Sequence, residues 1–192
     1  MTTDTKIYDE PEPELRRRMI PAGMARVAVF TRTYETTAED LWDACTNPER
    51  LRRWYAPVTG DLHVGGSFEQ VNMGSGTILV CDAPRLLKVS LGGGADEIEL
   101  RLSPGLGDQT TTLELQHATT LETHEIAGQT YDAIFCMGGG YYPRLQALDL
   151  HLRGTLPDNY DSIAFHLDPT VRPTIERGSA AMAVLLETDA AD

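Results

Sequence analysis

Lysine is almost missing: of 16 basic side chains only Lys6 and Lys88 are lysines, the rest being arginines. Against them stand 29 acids, for a formal charge of -13. A surface so short of cations repels phosphate backbones, which excludes general nucleic-acid binding and disfavours anionic membranes. Cysteine is scarce too. Cys45, Cys81 and Cys136 are odd in number, far apart and without a CxxC pair. That argues against a disulfide framework or a thiolate zinc site and fits buried thiols in a reducing cytoplasm. No apolar run approaches the roughly 20 residues of a membrane span. Arg16-Arg17-Arg18 before Met19-Ile20 imitates a signal peptide, but Pro21 and Gly23 break the apolar run and acids precede it. It is not read as a signal, and the expectation is a cytoplasmic chain with no membrane insertion.

Signatures of chemistry are missing as well. The histidines beyond His117 (His63, His124, His151 and His166) show no metal-ligand spacing, and His124-Glu125 is not completed to HExxH; no metal and no cofactor are expected. Gly92-Gly93-Gly94 and Gly138-Gly139-Gly140 lack GxGxxG and a following Lys-Ser/Thr, so both read as flexible turns. Ser75 lies in a glycine turn, not in GxSxG. A Cys81 nucleophile would need His117 beside it, which nothing in the sequence supports. The acid pairs Glu97/Glu99 and Asp158/Asp161 read as solvated surface.

What is present is patterning. The 192 residues suit one domain with appendages. Residues 1–23 are acidic and proline-containing, and read as a flexible arm. Residues 25–34 carry β-branched and aromatic residues at alternate positions, a strand. Thr36 and Glu39 match a capping box before a short helix with Ala38, Leu41, Trp42 and Cys45 on one face. Asn47-Pro48 reads as the cap and first residue of a second short helix, ending near Trp54. Strands follow at 61–64, 67–72, 77–82, 85–91, 97–102 and 110–117. In the last two, Ile98, Leu100, Leu102, Leu113, Leu115 and His117 alternate with polar residues, so each strand has a dry face and a wet face. After Gly140 the period turns helical: Tyr141, Leu145, Leu148 and Leu152 form a stripe, closed by Gly154. Pro173 starts a last helix to about Leu186. The order predicts an α+β fold, a curved antiparallel sheet wrapped around a long helix near the C-terminus. The domain is placed at 24–153, with 154–192 an extension of the same globule.

Residues 42–87 carry a more specific pattern: Trp42-Asp43-Ala44, Thr46-Asn47-Pro48-Glu49-Arg50-Leu51, Arg53-Trp54-Tyr55-Ala56-Pro57, Gly60-Asp61-Leu62, Val64-Gly65-Gly66-Ser67-Phe68, Gly76-Thr77-Ile78, Pro84 and Leu87. This resembles the SRPBCC (START-related, birch-pollen-allergen-like) superfamily. Within it, the pattern resembles the branch homologous to the C-terminal domain of the activator of heat shock protein 90 ATPase. The resemblance covers about residues 25–153 and implies a helix-grip fold with an apolar cavity between sheet and long helix. The sequence departs from the branch at Gly92-Gly93-Gly94, where members often carry a Trp, and in residues 154–192.

On that fold, Trp54, Phe68, Leu87, Ile98, Leu100, Leu113, Leu115, His117, Tyr141, Leu145 and Leu148 are the candidates to line the cavity, each also readable as core. His117 or a tyrosine hydroxyl would orient a ligand. Three functions follow as expectations. The preferred one is binding of a small apolar or amphipathic molecule. The second is a polyketide cyclase or dehydratase-like enzyme with His117 as acid or base. The third is a chaperone-associated interaction module, on fold analogy alone. A homodimer using residues beyond Gly154 is a further expectation.

Overall fold

The computed structural model describes residues 10–107 and 109–190, and these open on a strand where composition pointed to an arm. Strand β1 (Glu12–Ile20) pairs antiparallel with β2 (Gly23–Tyr34), from Glu12 opposite Thr31 to Ile20 opposite Gly23. The arm is therefore corrected for residues 12–20; residues 1–9 lie outside the described residues. The reason is positional. An edge strand needs only one hydrogen-bonded neighbour and little apolar surface, so a run as charged as Glu12–Arg18 forms one.

Two short helices follow, α1 (Ala38–Thr46) and α2 (Pro48–Trp54). The cap of α1 is Thr37, whose Oγ1 accepts from the Asp40 amide, one residue later than the expected Thr36. Thr36 instead donates its hydroxyl to the Asp40 carboxylate at 2.6 Å. Asn47 caps α2 as expected, accepting from the Glu49 amide at 3.0 Å, with Pro48 in the first turn.

The remaining strands are β3 (Val58–Gly60), β4 (Ser67–Gln70), β5 (Gly74–Asp82), β6 (Leu86–Leu91), β7 (Asp96–Pro104) and β8 (Thr111–Thr119). With β1 and β2 they form one antiparallel sheet in the order β1-β2-β8-β7-β6-β5-β4-β3. Residues 61–66 are not a strand but the turn between β3 and β4, closed by the Gly66 amide on the His63 carbonyl. A small hairpin, β9 (Thr123–Ile126) and β10 (Gln129–Asp132), was not foreseen. Register places Ala28, His117, Ile98, Val89 and Ile78 in one row across five strands, all on the concave face.

Helix α3 (Ala133–Leu152) lies in that concavity. Asp132 caps it, accepting from the Ile134 amide at 2.8 Å. Gly138-Gly139-Gly140 therefore lies inside the helix, not in a turn before it. Each glycine forfeits about 1 kcal/mol of helix preference, but the local signal loses to packing. Helix α4 (Arg172–Asp189) crosses α3 there. A Cβ on Gly138 would lie 2.1 Å from the Gly178 carbonyl oxygen, and one on Gly178 would lie 2.2 Å from that of Gly138. Only paired glycines permit this approach. Phe30, Tyr34, Leu113 and Leu115 of the sheet and Ile134, Tyr141, Leu145 and Leu148 of α3 form the main core.

The convex face is not simply wet. Ile20, Ala25, Val27, Val29 and Ala118 form a small buried cluster there. Register sets Arg16 beside Val27 and Arg18 beside Ala25, so arginine stems cover it while their heads stay polar. Glu97 and Glu99, expected to be solvated, are 3% and 6% exposed. Glu97 takes Arg18 at 2.7 Å and Lys88 at 2.9 Å, and Glu99 takes Arg101. Alternation had assigned the face correctly; it could not show what lay across it.

Candidate functional site

Under α1 and α2 the concave face is left partly uncovered. Leu51 and Trp54 of α2 and Cys45 of α1 form the roof of a cavity of about 150 Å³. Its floor comes from alternate residues of adjacent strands: Phe68 and Gln70 on β4, Ile78 on β5, Leu87 and Val89 on β6, Ile98 and Leu100 on β7, and Leu115 on β8. Gly76 matters here, since a Cβ would lie 2.5 Å from Phe68 Cζ; its absence lets the ring lie against β5. Trp54 is anchored by its indole N–H donating to the Ala44 carbonyl at 2.9 Å. Leu87, Val89 and Leu100 are only half-buried.

The structure brings six of the proposed lining residues to this cavity: Trp54, Phe68, Leu87, Ile98, Leu100 and Leu115. Leu113, Leu145 and Leu148 are not among its walls; they are the filled core between sheet and α3, each at most 1% exposed. His117 and Tyr141 are not on it either. They line a smaller pocket of about 140 Å³ with Tyr55, Met73, His124, Cys136 and Arg144. Sequence reasoning missed Cys45, Leu51, Val58, Val89 and Gln70. Val89 follows from Leu87 by strand alternation; the others come together only through the fold.

Gln70 is the main polar group in the apolar wall. It is 6% exposed, and its Nε2 makes no hydrogen bond among the described residues. A buried amide without a partner is costly, so the Gln70 amide keeps hydrogen-bonding capacity in an otherwise apolar wall, whereas His117 and Tyr141 lie on the other pocket. Cys45 is no nucleophile: burial pushes its thiol up to about 12, against an opposing pull from Arg50. Cys81 lines the apolar cavity and His117 the other pocket, so the two are not a pair.

Around His117 a polar chain is buried. Its Nδ1 and the Tyr141 hydroxyl share a 2.9 Å hydrogen bond, and its Nε2 lies 3.7 Å from Asp96 Oδ1, beyond hydrogen-bond length. Burial pushes the Asp96 carboxyl up, but the His117 and Thr119 side chains outweigh it and hold it below the usual range. Burial, with the nearby Tyr55, holds the Tyr141 phenol well above its ordinary value, so it stays protonated.

A third cleft, lined by Arg32, Tyr142, Asp149, Arg153 and Arg177, is larger, about 530 Å³, and polar. Its arginines are engaged: Arg32 and Arg153 by Asp149 and Arg177 by Glu10. Among the described residues, no group of three or more His, Cys, Asp or Glu side chains could hold a metal ion, and no helix is long and apolar enough to cross a membrane.

Known proteins share this architecture. CalU16 from Micromonospora echinospora is similar in its solution structure (33% identity, 98% of this chain and 99% of that one, TM-score 0.78). Its crystal structure is similar too (32% identity, 92% and 98%, TM-score 0.73). A conserved protein of unknown function, EF2215 from Enterococcus faecalis, shares the fold alone (12% identity, 91% and 92%, TM-score 0.61). Among curated proteins none matches the chain. The family model described as activator of Hsp90 ATPase homolog 1-like protein matches residues 35–149. That span holds both short helices, the strands under them and most of α3; the chain has the helix-grip fold and belongs to the activator of Hsp90 ATPase homolog 1-like family.

Proposed function

We propose that the protein binds a small apolar or amphipathic molecule in the cavity beneath α1 and α2. The observation that carries this reading is the cavity wall: apolar side chains from six strands and two helices face a common space, with Gln70, unpartnered among the described residues, as a polar group in it. Each 100 Å² of apolar ligand surface buried there is worth about 2.5 kcal/mol. A single aromatic ring is then expected to bind in the millimolar range and a larger body more tightly. Gln70 favours a molecule with one hydrogen-bonding atom on an otherwise apolar body. Membership of a family built on the helix-grip fold supports the same reading.

The test is a titration of the protein with toluene, followed through methyl NMR signals. Shifts are expected at Leu87, Val89, Ile98 and Leu100, with Leu113 and Leu148 unmoved, and Leu100→Trp should abolish them. A titration that leaves the cavity methyls unmoved sinks the reading.

A further inference from the structure

Acids outnumber bases 29 to 16 in this chain, so an arginine without an acid is unexpected. Every other arginine has a carboxylate within ion-pair distance. Arg144 alone, among the described residues, has none. Its Nη1 donates to the Gly140 carbonyl at 3.1 Å, and its Nε is buried without an acceptor. The guanidinium carbon lies over two rings, 4.7 Å from the Phe165 centroid and 5.3 Å from that of Tyr55. Cation–π contact of this kind restrains the side chain and leaves N–H groups for hydrogen bonding.

Arg144 belongs to the small pocket beside the apolar cavity, and Tyr55 lines both. Its other polar walls are His117, His124 and the Tyr141 hydroxyl; among the described residues no carboxylate lines it. The nearby acid, Asp96, lies behind His117 and is turned to it and to Thr119. The pocket therefore offers the guanidinium N–H groups of Arg144, with no acid among the described residues lining it to compete for them. A planar guanidinium edge matches a carboxylate, with two parallel N–H donors to two oxygens.

We propose that Arg144 anchors a carboxylate of the ligand, whose apolar body extends past Tyr55 into the cavity under α1 and α2. The ligand class is thus an amphipathic carboxylic acid. This rests on the cavity-binding reading above and narrows it.

The test compares 6-phenylhexanoic acid with 6-phenylhexan-1-ol, titrated into the whole protein at pH 8, where the acid is ionised. Dissociation constants come from NMR. The acid is expected to bind at least about tenfold more tightly than the alcohol, the scale of one charge-assisted pair. Arg144→Gln should remove that preference and leave the alcohol within about twofold. Equal affinities in the unaltered protein would overturn the carboxylate anchor while leaving cavity binding intact. A preference that survives Arg144→Gln overturns the assignment to Arg144. Failure of both compounds to bind overturns this proposal and the cavity reading together. Should Arg144→Gln not fold, the ratio in the unaltered protein decides, since it needs no variant.

Discussion

The two halves of the concave face obey one alternation rule and end differently. Over β2 and β8 the long helix α3 lies directly on the sheet, and Phe30, Tyr34, Leu113, Leu145 and Leu148 fill the space. Over β4 to β7 the cover is α1 and α2, of nine and seven residues, and a cavity remains. A 20-residue helix presents side chains along its whole length to the sheet half beneath it, whereas two short ones touch the sheet through a few residues near Cys45, Leu51 and Trp54. A dry face on a strand is thus a demand for cover, and the length of the covering element decides whether side chains or a ligand meet it.

Truncations should separate the halves most sharply. Leu148→Ala, at a fully buried position, is expected to cost about 2–5 kcal/mol, read by urea unfolding. Leu100→Ala, on the half-buried cavity wall, should cost about 1 kcal/mol or less, because that space is already partly open. Equal losses would show that the cavity half is as tightly packed as the other.

The backing of the filled half should come next in size. Gly138→Ala forces a methyl onto the Gly178 carbonyl and is expected to cost about 1–3 kcal/mol, with Gly178→Ala matching it from the other helix. A thermal melt unchanged in both variants would mean that the α3–α4 approach is looser than described.

The smallest effect belongs to the convex face. Burial pushes the Glu97 carboxyl up, but Lys88 and Arg18 outweigh it and hold it below its ordinary value. A carboxyl depressed in the folded state adds stability above its unfolded value, about 4.3. That stability is lost as pH falls through the lower folded value. Glu97→Gln should therefore flatten the loss of stability between about pH 5 and pH 3 relative to the unaltered protein. Parallel urea midpoints across that range would remove Glu97 from the account.

Local signals were legible where local physics governs. Asn47-Pro48 announces α2 because a cap and a proline act within one turn. The polar alternation of residues 97–102 and 110–117 reveals β7 and β8 because side chains on a strand alternate whatever lies beyond. The glycines at 138–140 misled for the converse reason: alone they signal a turn, and only Gly178, forty residues on, makes them the packing surface of a helix. The charged run at 12–18 misled likewise, since its pairing partner, not its composition, orders it. Six residues of the candidate site, Trp54, Phe68, Leu87, Ile98, Leu100 and Leu115, were legible in the sequence as apolar candidates. Which strand faces stayed open was not.

The sequence by itself determined the α+β order, the helix-grip resemblance and the dry faces bearing Ile98, Leu100 and Leu115, because periodicity and capping act over a few residues. Only the tertiary structure decided that Leu145 and Leu148 fill a core while Leu87 and Leu100 line a cavity, that Glu97 is buried beneath Arg18, and that Arg144 has no acid beside it among the described residues. Those outcomes depend on distances between segments far apart in the chain, and such distances exist only once the sheet has curved around its helix.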